Sequence, residues 1–305
     1  MELDKYIEAL QSQNIPLINR NSELLLKGAD PKLLEQKIRA FKKLNIEEIS
    51  DKELAEKIEN ILMIDNVISL INSYSIFSPR ERFYRARRFK DIKDVTDNLM
   101  KVSDYWNPPK SVISRYGRLN KPRESLLYTT MNPRTAFIET HTMPEDYFAL
   151  FVYESTRSIQ VSWIGSETNY KHHNISDIAA IRVHEILKQF LIEEFTKIVP
   201  DGKEYLYRTT EHVAKEYFQS PNQDGWRYPS IRDRSESNIC FKTDDLFKML
   251  RLTGAIAGKM CDGGIFELEY VTTGFDEYGN RETFEEENAA IAFKKMFPEF
   301  RSAEK

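Results

Sequence analysis

The strongest constraint on this chain is a change of hydrophobic period at Ser78-Pro79. Before it, Leu33, Leu34, Ile38, Phe41 and Leu44, then Leu54, Ile58, Ile61, Leu62 and Ile68, recur at three- and four-residue spacing, the stripe of an amphipathic helix. Asp30-Pro31 supplies an N-cap with proline at the first helical position. Ser50, with Glu53 three residues on, reads as a capping box. Residues 1–78 are therefore expected to form a polar helical segment. After Ser78-Pro79, Glu81-Arg-Phe-Tyr-Arg-Ala-Arg87 alternates polar and aromatic groups with the period of a strand.

Further strands are expected at Ser125–Thr130, Tyr147–Glu154, Ser158–Ile164, Trp226–Arg232, Asn238–Phe241, Thr253–Lys259 and Gly264–Thr272. Helices interrupt them: one capped by Asn132-Pro133 and running to Thr140, and a long one from Ser176-Asp177 to Ile198. Two more are expected at Thr210–Phe218 and Phe284–Phe297. Short strands broken by helices imply an α+β domain over 79–305, preceded by the helical segment 1–78.

Composition removes several classes. Hydrophobic residues make up 41% of the 305 residues, enough for a sizeable core, so the chain is neither disordered nor a small stapled scaffold. A net charge of -4 argues against coating nucleic acid through overall charge, and no direct nucleic-acid binding is expected. Cys240 and Cys261 make no disulfide framework and no zinc spacing. His141, His172, His173, His184 and His212 have no partner at metal-ligand spacing, so no metal site is expected. The first residues lack the apolar core of a signal peptide, and no window resembles a membrane span. A soluble cytoplasmic protein with no membrane partner is the expectation.

Four places carry candidate chemistry. Arg80, Arg82, Arg85, Arg87, Arg88 and Lys90 crowd one stretch, and on a strand Arg85 and Arg87 share a face while Tyr84 and Ala86 share the other. A guanidinium matches phosphate with two parallel hydrogen bonds, so that face suits a pyrophosphate; the alternative is a solvated strand edge. Arg118 follows Gly117 on an irregular segment with Asn120 and Pro122. Glu139 sits among Ala136, Phe137 and Ile138, so its carboxylate is either at a rim or held by a cation. Ser230 follows Pro229 after Asp224-Gly225; with no Gly-x-Ser-x-Gly elbow, it reads as a hydrogen-bonding group, not a nucleophile.

In order, Phe83-Tyr-Arg-Ala-Arg87, Trp106-Asn-Pro-Pro109, Gly117-Arg-Leu-Asn120, Leu127-Tyr-Thr-Thr130, Thr135-Ala-Phe-Ile-Glu139, Asp224-Gly-Trp-Arg-Tyr-Pro-Ser230 and Asn238-Ile-Cys-Phe241 resemble the RES-domain family, named for an arginine, a glutamate and a serine. The resemblance covers about residues 80–260. It implies a fold like the ADP-ribosyltransferase toxins, with a core of short mixed strands and flanking helices. It also implies an activity that destroys NAD, and a toxin neutralised by an Xre-type helix-turn-helix antitoxin. Carried over by motif, Arg85, Arg118, Tyr128, Glu139 and Ser230 are the catalytic residues, with Tyr84, Arg87 and Asn120 binding substrate. The family's pattern gives no role to the segment before residue 78, and Lys121-Pro-Arg-Glu124 makes the Arg118 loop more polar than its usual form.

The mechanism this implies needs no cofactor, because NAD is the substrate. Arg85 and Arg118 grip the pyrophosphate, and Glu139 holds a ribose hydroxyl and steadies charge at the anomeric carbon. Tyr128 stacks on or hydrogen-bonds the nicotinamide ribose, and Ser230 orients the nicotinamide end. The acceptor is water (glycohydrolase) or inorganic phosphate (phosphorylase), with Arg87 favouring phosphate. A mono-ADP-ribosyltransferase is the alternative, using Glu267-Leu-Glu269 as its Glu-x-Glu pair and Arg85 as its first-strand arginine. A non-catalytic nucleotide-binding module is the second. The N-terminal helices could mask a pocket, mediate homodimerisation or dock a partner.

Overall fold

The computed structural model describes residue 23 and residues 26–64, 67–68, 70, 72–171, 173, 175–231, 236–264, 266–275, 279, 281–282 and 286–297. His172, Arg232, Arg234 and the start of the helix expected from Phe284 lie outside the described residues.

The fold is α+β. Helices α1 (Pro31–Phe41) and α2 (Asp51–Leu62) begin where the sequence caps them. The Asp30 side chain accepts from the Lys32 amide, and Ser50 and Glu53 exchange both bonds of a capping box. Strands β1 (Ser73–Phe77) and β2 (Arg82–Phe89) precede α3 (Ile92–Asn98). Then follow β3 (Leu127–Thr130), α4 (Pro133–Glu139), β4 (Tyr147–Ser155), β5 (Ile159–Trp163), α5 (Ile178–Phe195) and α6 (Arg208–Tyr217). The remainder carries β6 (Gly225–Pro229), β7 (Ser237–Phe241), β8 (Leu250–Met260), β9 (Phe266–Thr272) and α7 (Glu286–Met296).

Two corrections to the expected elements arise. Residues up to 78 are not all helical: Met63–Ile64 pairs with Val67–Ile68 as a short hairpin, and Ser73–Phe77 is a strand. Its Ser-Tyr-Ser-Ile-Phe run has a strand's alternation, with Ser75 and Phe77 buried between exposed Tyr74 and Ile76. Gly225, one residue ahead of the strand expected from Trp226, opens β6; a side chain there would put its Cβ 2.1 Å from the Cys240 carbonyl oxygen, so only glycine allows this pairing.

The chain divides into two compact units. The first takes in the chain up to Tyr74 together with Tyr116–Lys121 and Ser162–Gln219; the second comprises Ser75–Arg115, Pro122–Val161 and the chain from Ser220. The first unit thus joins two later segments to the chain before Ser75.

The first unit is built on α1, α2, α5 and α6. Its core joins Leu34, Ile38, Phe41, Leu54, Ile58, Leu187 and Phe190, with Phe41 and Phe190 edge to face at 5.5 Å. The nine-stranded sheet runs β9-β8-β4-β2-β3-β7-β6-β5-β1. One face buries Phe83, Phe151, Tyr153, Ile239 and Phe241; the other buries Tyr84, Ala86, Phe148, Leu150 and Val152 beneath α4 and α7. The alternation Phe83/Tyr84 and Phe151/Val152 across these clusters is the two-residue period of a sheet buried on both faces.

Sheet pairing is long on one side of β2 and minimal on the other. Eight consecutive positions of β2 pair with β4, from Arg82 opposite Glu154 to Phe89 opposite Tyr147. Between β2 and β3 only Tyr84 faces Thr130 as a paired position. The two strands therefore part on leaving that pair, and the sheet splays open in its middle.

Candidate active site

The opening between β2 and β3 is a cavity of about 240 Å³. Tyr84 and Ala86 wall it from β2, Tyr128 and Thr130 from β3, and Asn238 and Tyr228 from β7 and β6. Ala136, Glu139 and Thr140 close it from α4. Register explains the set. Tyr84 faces Thr130, Thr130 faces Asn238, and Asn238 faces Tyr228, so one row of side chains crosses four strands on a single face. Tyr128 stands two residues along β3, on the same face.

Helix α4 delivers the carboxylate. Asn132 caps it, its side chain accepting from the Arg134 amide at 2.9 Å. Phe137 fixes its depth by packing edge to face on Phe148 at 4.8 Å. Glu139, the last residue of α4, accepts a hydrogen bond from the Ser230 hydroxyl at 2.5 Å on Oε1. No second partner for the Glu139 carboxylate exists among the described residues, so Oε2 remains available at the cavity wall.

Ser230 is fully buried just beyond the end of β6. Its amide donates to the Glu236 carbonyl at 3.1 Å, and the Glu236 carboxylate accepts from Asn132 Nδ2 at 3.3 Å. One asparagine thus caps the helix that carries Glu139 and donates to Glu236, the residue whose carbonyl accepts from the Ser230 amide. The Ser230 hydroxyl, expected to orient the nicotinamide end of a ligand, donates to the carboxylate.

The arginines donate to backbone carbonyls. Arg85 and Arg87 share the face opposite Tyr84 and Ala86, as the alternation demands. Arg85 donates to the Trp106 carbonyl and lies 5.7 Å from the centre of the Phe151 ring. Arg87 donates to the Asp104 carbonyl at 3.3 Å and lies 5.0 Å from the Phe89 ring centre. Burial, and then the charge of Arg85, push the Arg87 guanidinium below its ordinary range. Arg85 reaches the cavity wall as part of the parted β2, but its guanidinium points to the other side of the sheet. The strand is the fourth of nine in sheet order, not the solvated edge weighed above.

Arg118 and Asn120 belong to the first unit, whereas every residue lining the cavity belongs to the second. Arg118 is 6% exposed, and its guanidinium donates to the carbonyls of Glu194 at 3.4 Å and Lys197 at 3.1 Å while lying 4.8 Å from the Tyr207 ring centre. The last carbonyls of a helix lack intrahelical partners and present negative charge, so a buried guanidinium at the end of α5 satisfies both. The Thr210 hydroxyl holds the Arg118 carbonyl at 2.7 Å. Asn120 donates to the Lys121 carbonyl at 3.0 Å. Glu139, Tyr84 and Tyr128 line one cavity, with Ser230 bonded to Glu139, while the guanidiniums of Arg85, Arg87 and Arg118 donate to backbone carbonyls.

Sequence reasoning missed Thr130, Tyr228 and Asn238 as cavity residues. The signal lay in strand register, because each stands opposite a residue already singled out or one step from it. Glu267 and Glu269 are exposed on β9, the terminal strand of the sheet. Among the described residues no group of three or more His, Cys, Asp or Glu could hold a metal ion, and no helix is long and apolar enough to cross a membrane. No protein-family model matches the chain, and neither a curated protein nor a solved structure matches it.

Proposed function

We propose that the protein cleaves the nicotinamide–ribose bond of NAD, as an enzyme of RES type on an ADP-ribosyltransferase-like core. The observation that carries this reading is the Ser230–Glu139 hydrogen bond at the wall of a cavity opened by two parting strands. The cavity is lined by tyrosines, hydroxyls, a carboxamide and one carboxylate, and among the described residues no cationic side chain points into it. Its volume falls below the roughly 300–1,000 Å³ of complete small-molecule sites, which suits one nucleoside of a dinucleotide.

NAD presents its nicotinamide ring as a cation. The C1′–N bond breaks with its electron pair going to the ring nitrogen, and the ring leaves neutral without needing a proton. The ribose left behind develops positive charge at C1′, as in glycoside cleavage. Glu139 faces that charge with a carboxylate fixed by Ser230, and its free Oε2 takes a ribose hydroxyl. Tyr84, Tyr128 and Tyr228 flank the planar ring. Water or inorganic phosphate then forms the new bond to C1′. On this reading the chain is a toxin or defence effector, and an Xre-type helix-turn-helix protein is its expected neutralising partner.

The test is Glu139→Ala. Nicotinamide release falls by about 100-fold or more, as when one transition-state group is removed, while the thermal midpoint stays within a degree or two. Full turnover by this variant would overturn the assignment.

A further inference from the structure

Asn238 is 5% exposed, in the middle of β7, with its side chain on the cavity wall. Its backbone pairs on both sides, with Thr130 and with Tyr228. Its carboxamide, by contrast, makes no hydrogen bond to any described residue. Neighbouring polar groups do find partners: the Thr130 hydroxyl donates to the Asn132 carbonyl at 2.7 Å, and the Thr129 hydroxyl to the Ile239 carbonyl at 3.0 Å. Buried side-chain amides are normally bonded within the protein, and an unbonded one facing a cavity is a group held for a ligand.

An asparagine offers one acceptor and an amino group side by side, and bears no charge. Its complement is a neutral group presenting a donor beside an acceptor. A primary carboxamide is such a group; a phosphate or a carboxylate is not. We infer that Asn238 determines specificity by reading the carboxamide of the nicotinamide ring through a reciprocal pair of hydrogen bonds, so that the cavity takes the amide and rejects the corresponding acid. The inference rests on the NAD-cleaving reading above. It assigns this pair to the nicotinamide end because Glu139, on the same wall, faces the sugar carbon that bears that ring. The adenine edge could also bond an asparagine, but it lies across a pyrophosphate, and among the described residues no cationic side chain turns into this cavity to hold one.

A carboxylate in the same place keeps the bond from Asn238 Nδ2. Its second oxygen then meets Asn238 Oδ1, and two acceptors face each other without a proton between them. A site built to hydrogen-bond a donor discriminates strongly against the analogue lacking it.

The experiment compares NAD with nicotinic acid adenine dinucleotide as substrates for the full chain, and for Asn238→Leu, which keeps the volume and removes both hydrogen-bonding groups. The wild type is expected to prefer NAD by at least about 100-fold in kcat/KM, and the variant's ratio to fall to within about 5-fold. A merely structural role would lower both substrates together and leave the ratio unchanged. Near-equal cleavage of both by the wild type, or an unchanged ratio in the variant, overturns the role of Asn238 while the cleavage reading stands. If neither dinucleotide is cleaved, the cleavage reading fails. Titration of free nicotinamide against nicotinic acid, followed by ligand-observed NMR, then decides: amide preference lost in Asn238→Leu supports the subsite, and no preference overturns it.

Discussion

In the helical unit, buried charge is matched to groups the backbone leaves over. Arg118 meets the carbonyls that end α5, and Arg208 donates to the carbonyls of Ile46 and Ile49 and to the carboxylate of Asp51, the first residue of α2. His184, Tyr170, Glu185 and Lys188 are linked in a chain that Lys188 extends to Glu167: the Tyr170 hydroxyl donates to Glu185, so the proton between Tyr170 and His184 at 2.8 Å belongs to His184 Nδ1. The sheet cavity is built the opposite way. Among the described residues, Glu139 has one oxygen held and one open, and the Asn238 carboxamide has no hydrogen-bond partner. Satisfied polar groups rigidify a fold, whereas groups held open at a wall are a cost to stability that a ligand can relieve. On the proposed function, the same residue types give support in one unit and recognition in the other.

That contrast breaks most readily at Arg118. Arg118→Ala should lower unfolding free energy by about 2–4 kcal/mol, because two charge-assisted bonds are lost and the end of α5 is left unsatisfied. Denaturant midpoints would measure it. Loss of NAD cleavage in Arg118→Lys at near-normal stability would return this arginine to the ligand.

His184 sharpens the contrast through pH. Burial pushes its imidazole down from 6.5 to about 4. The unfolded chain therefore binds a proton that the folded chain refuses between those values. Its contribution is complete above pH 6.5 and is lost as pH falls toward 4, on the order of 2–3 kcal/mol. Glu194, pushed up by burial, acts in the opposite sense, so the comparison is between wild type and His184→Gln. The stability difference between pH 7.5 and 4.5 should shrink in the variant; an unchanged difference would show that His184 does not drive it.

Ser230→Ala comes next. It frees Glu139 to rotate without removing it, and about a 10-fold fall in kcat is expected, the effect of one lost positioning bond. A loss as large as that of Glu139→Ala would mean the serine touches substrate directly. Smallest of all, Glu269→Ala should change NAD cleavage by less than about 2-fold, since Glu269 is exposed on the sheet's terminal strand. A large loss there would revive the transferase alternative.

Local chemistry made much of this legible. Asp30, Ser50 with Glu53, and Asn132 cap the helices their residue types announce, and the Tyr84/Arg85 alternation assigns the faces of β2 correctly. What stayed hidden is non-local. The bond of Arg118 to the Glu194 carbonyl spans 76 residues, and that of Ser230 to Glu139 spans 91. Nothing in the neighbourhood of either arginine motif says that a helix end elsewhere, or the Trp106 carbonyl, will claim its guanidinium. Asn238 looks ordinary in Asn-Ile-Cys-Phe because only strand order reveals that its neighbours across the sheet are Thr130 and Tyr228. The strand at Ser73–Phe77 was masked by the helical period before it.

The most direct measurement follows NAD labelled in its nicotinamide and, separately, in its adenosine half, with purified protein, with and without phosphate. The account predicts one free nicotinamide for each NAD lost, with the adenosine label in free ADP-ribose or its phosphate, and none of this in Glu139→Ala. Saturable NAD binding without nicotinamide release, or adenosine label held on a macromolecule, would contradict it.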